Sequence, residues 1–119
     1  MTDNSERQAR GAQTFQEVLG FPFPGAASPL HEAARDFVFA EVWSRDGLDR
    51  RSRRWITLAC VCAAGVEQPI QIYLRAALDS GDITVSELRE FVLQFATFQG
   101  FPRAVLVDRI LGEVLAERG

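Results

Sequence analysis

The sequence predicts an all-α protein of five or six antiparallel helices with short connections. Apolar residues recur at separations of three and four along most of the chain, and no alternation of period two is sustained anywhere. Helix-starting and helix-stopping residues also punctuate the chain at close intervals, which leaves no stretch long enough to be a linker.

The first helix is expected over roughly Glu6 to Leu19, with Phe15, Val18 and Leu19 on one side and Gly20 as its stop. Phe21-Pro22-Phe23-Pro24-Gly25 cannot continue it, because prolines at alternate positions enforce an extended path. Residues 1–27 are therefore expected to form a short helix and a proline-rich arm whose phenylalanines lie on another surface, ahead of a helical domain over 28–119. Ser28 caps the next helix with Pro29 in its first turn, and Leu30, Ala34, Phe37, Val38, Glu41 and Val42 continue it until the Asp46-Gly47 turn. Asp49 caps a third helix in which Trp55, Leu58, Ala59, Cys62 and Ala63 form an apolar stripe ending at Gly65. A fourth runs from about Gln68 to Asp79, with Pro69 in its first turn and Gly81 beyond its end. Thr84-Val85-Ser86-Glu87 reads as a capping box for a fifth helix over Leu88 to Phe98. Gly100-Phe101-Pro102 breaks the backbone before a last helix from Arg103 to about Leu115, with Val105, Leu106, Ile110, Leu111 and Val114 inward.

Composition excludes several functions. All 13 cationic residues are arginine, so no mechanism that needs a lysine is open to the chain. A net charge of −3 argues against a general nucleic-acid surface, which rests on an excess of positive groups. Arg53, Arg54, Glu67 and Arg75 interrupt the most apolar region, so no membrane span is expected, and the polar start Met1 to Glu6 is unlike a secretory leader. A cytoplasmic protein is the expectation. Cys60 and Cys62 lie roughly 200° apart around a helix axis, so they cannot bridge each other, and with a single histidine no zinc site or other metal site is expected.

Four places could carry chemistry. Arg50, Arg51, Arg53 and Arg54 crowd the start of the third helix, where the helix dipole disfavours positive charge. Either carboxylates pair with them, or they form an anion site from guanidinium forks and free helix amides. Glu41 stands four residues before Arg45 and two before Trp43. It is either half of an ordinary helical ion pair or a carboxyl partly buried beside Trp43 and able to carry a proton. Tyr73, the only tyrosine, is either a core aromatic or a hydrogen-bond donor into a pocket between the third and fourth helices. His31 falls on a polar face and reads as exposed.

Trp43 to Arg54, Leu58-Ala59, Leu74 to Leu78 ahead of Gly81, Gly81 to Leu88 and Phe98 to Ala104 form an ordered set that resembles the carboxymuconolactone decarboxylase family over about Phe37 to Ala104. The resemblance implies the helical fold shared with the alkyl hydroperoxidase D-like proteins, dimers, trimers or hexamers, and a pocket between paired helices. In the hydroperoxidase branch a glutamate, a Cys-x-x-Cys pair and a histidine do the chemistry. Here Arg54, Val66, Pro69 and Tyr73 stand at those places, so thiol peroxidase activity is not expected. The decarboxylase branch looks more similar, although it carries a histidine where this chain has Tyr73. That likeness implies a small carboxylated or cyclic organic acid as ligand, as in aromatic catabolism, and a carboxy-lyase that works without a cofactor. Arg45 or Arg53 would hold a carboxylate beside Trp43, and Glu41 and Tyr73 would supply the polar catalytic contacts. A non-catalytic oligomer that binds a ligand or protein partner through the same groove is the alternative.

Overall fold

The computed structural model of the chain describes residues 2–119, with side chains from Asn4 onward. Among these residues there is no strand. The helices are α1 (Thr2–Leu19), α2 (Pro29–Ala33), α3 (Arg50–Ala64), α4 (Glu67–Asp79), α5 (Val85–Gln99) and α6 (Phe101–Arg118), and α2 runs directly into a π-helical segment, Ala34–Val42. The chain divides into two compact units, one up to Arg50 and one from Arg51 on.

In the first unit α1 buries Phe15, Val18 and Leu19 as its spacing requires. The Phe-Pro-Phe-Pro segment, expected to reach another surface, instead folds back on its own helix. The rings of Phe21 and Phe23 meet Phe15 edge-on at 5.3 and 5.1 Å, and Phe39 meets it at 5.0 Å. Residues two apart on an extended chain point the same way, so both rings can reach the same target. Such edge-to-face pairs add about 0.5–1.5 kcal/mol each beyond the area they bury.

The helix expected from Ser28 to Val42 changes pitch. Ser28 caps it by accepting from the His31 amide at 3.3 Å, and Pro29 opens it as expected. From Ala34 the register widens, and the Trp43 amide donates to Val38, five residues back, at 3.0 Å. Two contacts with α1 accompany the widening. Gly11 approaches so closely that a Cβ there would lie 2.0 Å from the Arg35 carbonyl oxygen, and Arg10 Nε donates to the Ala40 carbonyl at 3.1 Å.

In the second unit α3–α6 enclose one core, centred on Leu58, Ile70, Leu74, Leu88, Val107, Ile110 and Leu111. The capping box is present in both directions: Thr84 Oγ1 accepts from the Glu87 amide at 3.1 Å, and Glu87 accepts from the Thr84 amide at 3.0 Å. Two inward positions need correction. The buried face of α3 runs Arg54, Leu58, Cys62 at steps of four, which leaves Ala59 exposed. The buried face of α6 runs through Ala104, Val107, Ile110, Leu111 and Val114, which turns Val105 outward at 64% exposure. No helix among the described residues is long and apolar enough to cross a membrane.

Candidate functional site

The head of α3 is where charge concentrates in the second unit. Arg54 occupies an inward position on an otherwise apolar stripe, and only 2% of it is exposed. A buried guanidinium needs a carboxylate, because the desolvation penalty of an unpaired charge is several kcal/mol. Asp82 supplies one, accepting from Arg54 Nε at 2.8 Å. The turn after α4 delivers it: Gly81 takes φ +78°, and Ser80 Oγ accepts from the Asp82 amide at 3.1 Å while donating to the Ala77 carbonyl at 2.9 Å.

Arg51 reaches the same turn from the outside. Its Nε donates to the Asp82 carbonyl at 3.0 Å, and its guanidinium pairs with Glu87 and lies 5.6 Å from the centre of the Trp55 ring. Glu87 thus serves both the α5 cap and Arg51, and these bonds, the Thr84 amide first, hold its carboxyl below the usual range. Arg50 pairs with Glu17 at 3.0 Å within the first unit. Arg50, Arg51 and Arg54 are thereby each paired with a carboxylate. Arg53 is half-buried, and its carbonyl accepts from the Thr57 hydroxyl at 2.8 Å.

Tyr73, on α4, packs its ring against the core and is half-buried. Burial pushes its phenol above its ordinary value, and the positive charge of Arg54 acts in the opposite direction. The second unit therefore brings Tyr73 and Arg54 into electrostatic reach of each other. The sequence placed Arg54 in the arginine cluster without setting it apart as the inward one, although an arginine four and eight residues ahead of two core positions was the available signal.

The other candidates belong to the first unit. Glu41 pairs not with Arg45 but with α1, at 3.3 Å from Arg7 and 3.5 Å from Arg10. The i, i+4 expectation fails because the segment ends at Val42 in π register. Residues 43–45 then form a turn in which the Arg45 amide donates to Val42 at 3.2 Å. Trp43 is buried and stacks on Phe39 with ring centres 6.4 Å apart, which makes it a core residue of this unit. Arg45 is exposed. His31 is exposed as expected, with Nδ1 accepting from the Ala27 amide at 3.2 Å.

Cys60 is exposed and Cys62 is buried, each a free thiol. Burial pushes the Cys62 thiol up to about 12, so it is inert at neutral pH. Among the described residues no cluster of His, Cys, Asp or Glu could hold a metal ion. Open grooves flank α5: one of about 400 Å³ lined by Leu93, Phe101 and Val105 among others, and one of about 420 Å³ lined by Trp55, Glu90 and Phe91 among others. Neither groove is lined by Tyr73 or Arg54.

The sequence is similar to known decarboxylases. It is 30% identical to 4-carboxymuconolactone decarboxylase of Acinetobacter baylyi over an alignment covering 98% of this chain and 92% of that protein. It is 31% identical to nitrosuccinic acid decarboxylase npaB of Metarhizium robertsii over 65% of this chain and 53% of that protein. The profile of the carboxymuconolactone decarboxylase family matches residues 29–113, which take in the π-helical segment, the arginine-rich head of α3, Tyr73 and the Asp82 turn. With the helical architecture and a match over most of its length, the chain belongs to the carboxymuconolactone decarboxylase family.

Proposed function

We propose that this protein binds a small carboxylated or cyclic organic acid and removes carbon dioxide from it without a cofactor. The observation that carries this reading is the head of α3, where Arg53 stands beside a buried Arg54 whose charge reaches the Tyr73 phenol. Arg53 is the second-unit candidate for holding a substrate carboxylate through a forked pair of N–H donors. Tyr73, kept protonated by burial, can donate a hydrogen bond to an oxygen that gains charge in the reaction. Glu41, Trp43 and Arg45, the candidates of the first unit, are a proposal separate from the second-unit site, Arg45 for a carboxylate and Glu41 for a proton. The names of both relatives, decarboxylases of organic acids, support the reaction class.

The step balances without an added reactant. The bond between the carboxylate carbon and the ring carbon breaks, carbon dioxide leaves, and the electron pair passes into an enolate. A carboxylic acid then returns a proton to the ring carbon. The protein is taken to act in the cytoplasm and to self-associate.

One observation favours a second reading, a family member that binds the acid without turning it over. At the place of the branch's histidine stands a phenol displaced further from neutrality, so the exchangeable proton that a histidine offers near pH 7 is absent there. The two readings separate in one experiment. Purified protein is incubated with carboxymuconolactone, carbon dioxide release is followed, and the melting temperature is measured with and without lactone acids. Release that falls at least about tenfold in Arg53→Ala supports the enzyme. A ligand-dependent rise in melting temperature without release supports the binding protein. Neither effect, with a set of carboxylated lactones and aromatic acids at millimolar concentration, would remove both readings.

A further inference from the structure

Asp82 is held at its amide, its carbonyl and its side chain. The amide donates to Ser80 Oγ at 3.1 Å, the carbonyl accepts from Arg51 Nε at 3.0 Å, and the carboxylate accepts from Arg54 Nε at 2.8 Å. The Asp82 side chain is 33% exposed against 2% for Arg54, so the carboxylate lies at the edge of the core and the guanidinium inside it. The turn that carries Asp82 is anchored on Ala77, whose carbonyl accepts from Ser80 Oγ at 2.9 Å and from the Ile83 amide at 3.4 Å. Ala77 stands one helical turn beyond Tyr73 on the same face of α4, which ties Asp82 to the face that bears the phenol.

The other charges around that face are matched elsewhere. On α4, Glu67 pairs with Arg109 and Arg75 with Glu117, each at 2.8 Å, and Asp79 pairs with Arg118, all three partners lying on α6. On α5, Glu87 is engaged by Arg51, and Arg89 meets Asp108 of α6 at 3.1 Å. Arg54 is the charge that acts on the phenol, and it opposes the effect of burial.

We propose that Asp82 is a positioning residue for the phenol: its carboxylate holds the Arg54 guanidinium inside the second unit, where that charge bears on the Tyr73 hydroxyl. Losing the carboxylate favours a guanidinium that moves toward water, because a charge left buried without it is strongly disfavoured. A positive charge near a phenol favours the ionised form, which also makes the hydroxyl a stronger hydrogen-bond donor. The inference deepens the functional reading and rests on it for the role of that hydroxyl as donor to an acid ligand.

Tyr73 is the only tyrosine, so the full chain produced with ring-difluorinated tyrosine carries one fluorinated ring, and its fluorine NMR shift follows the ionisation of this phenol alone. Fluorination makes the phenol more acidic and brings its titration toward neutral pH, where circular dichroism confirms the fold of each variant. Arg54→Met removes the charge and should make the phenol at least about threefold less acidic. Asp82→Ala should act in the same direction by releasing the guanidinium. Loss of a negative charge alone would make the phenol more acidic, so the sign separates positioning from neutralisation. In the Arg54→Met background Asp82→Ala should add nothing, since Asp82 acts through Arg54. The double variant carries neither charge and should match Asp82→Ala, which preserves the comparison if Arg54→Met alone does not fold.

An unchanged phenol in Arg54→Met, or in the double variant, would show that the charge does not bear on it. A phenol unchanged or more acidic in Asp82→Ala would show that Arg54 keeps its place without the carboxylate. Either result overturns the inference and leaves the functional reading to its assays of carbon dioxide release and melting. Those assays can fail without touching the titration, because no acid ligand is present in it.

Discussion

Tyr73 shows how one side chain can look the same from the sequence under two different roles. Its neighbours at three and four residues predicted a buried ring, and the ring does pack on the core, but the charge of Arg54 arrives from another helix and left no trace in local spacing. Replacing Tyr73 with Phe keeps the ring and removes the hydroxyl, so under the binding reading it should weaken a carboxylated ligand by about 0.5–1.5 kcal/mol, the net worth of an ordinary hydrogen bond. Calorimetry with the ligand that raises the melting temperature checks this, and an unchanged affinity would take the hydroxyl out of the site. The thiols were more legible, because a helical step of two residues must place Cys60 and Cys62 on different faces. Native protein should therefore react with a thiol reagent at one site, Cys60, and release the second thiol only on unfolding, with no thiol-dependent peroxide turnover. Two thiols titrated in the folded state, or peroxide consumption lost in a Cys60→Ser variant, would contradict this placement.

Helix ends proved far more readable than helix pitch. The capping box of α5 was visible as Thr84 and Glu87 because both of its bonds are local, and Thr84→Ala should cost about 1 kcal/mol in chemical denaturation by removing one of them. The π-helical segment was invisible because the contacts that accompany it come from α1: Gly11 against the Arg35 backbone and Arg10 on the Ala40 carbonyl. The same ignorance of partners misplaced Val105, which has the right residue type for a core but the wrong angle relative to Ala104 and Val107. Gly11→Ala tests the α1 contact, and two effects of opposite sign compete in it. Alanine is favoured over glycine inside a helix by about 1 kcal/mol. The new Cβ, however, would lie 2.0 Å from a backbone oxygen, which cannot swing aside as a flexible side chain would. Overpacking of this kind typically costs about 1–3 kcal/mol and should win, so the variant should be less stable than wild type. A gain in stability would show that α1 and the π-helical segment separate easily.

For the whole molecule, the absence of lysine fixes how stability depends on pH. Among the described residues every cationic side chain in an ion pair is an arginine, the residue type whose charge is not lost in proteins, so no pair there depends on a lysine that alkali could discharge. On the acid side the carboxyls of Glu17, Asp36 and Glu87 are held below their ordinary values, by Gln13 and then Arg50, by Arg35, and by the Thr84 amide and then Arg51 respectively. A lowered pKa means the folded state binds the proton less readily than the unfolded chain. The stabilisation is then complete above the ordinary values of about 3.9 and 4.3 and is lost as pH falls through the lowered ones. On the alkaline side burial raises Cys62 to about 12 and raises Tyr73, so the folded state holds those protons more tightly. Their contribution is complete below the ordinary values of about 8.5 and 10 and is lost as pH climbs toward the raised ones. Melting temperature should therefore be flat from about pH 5 to 8 and fall on both sides. Cys62→Ala should melt lower on the plateau because it opens space in the core, yet its alkaline decline should be shallower than that of the wild type. An alkaline limb as steep in Cys62→Ala and Tyr73→Phe as in the wild type would mean that neither buried group drives it, and that an alkaline-labile contact elsewhere in the chain does.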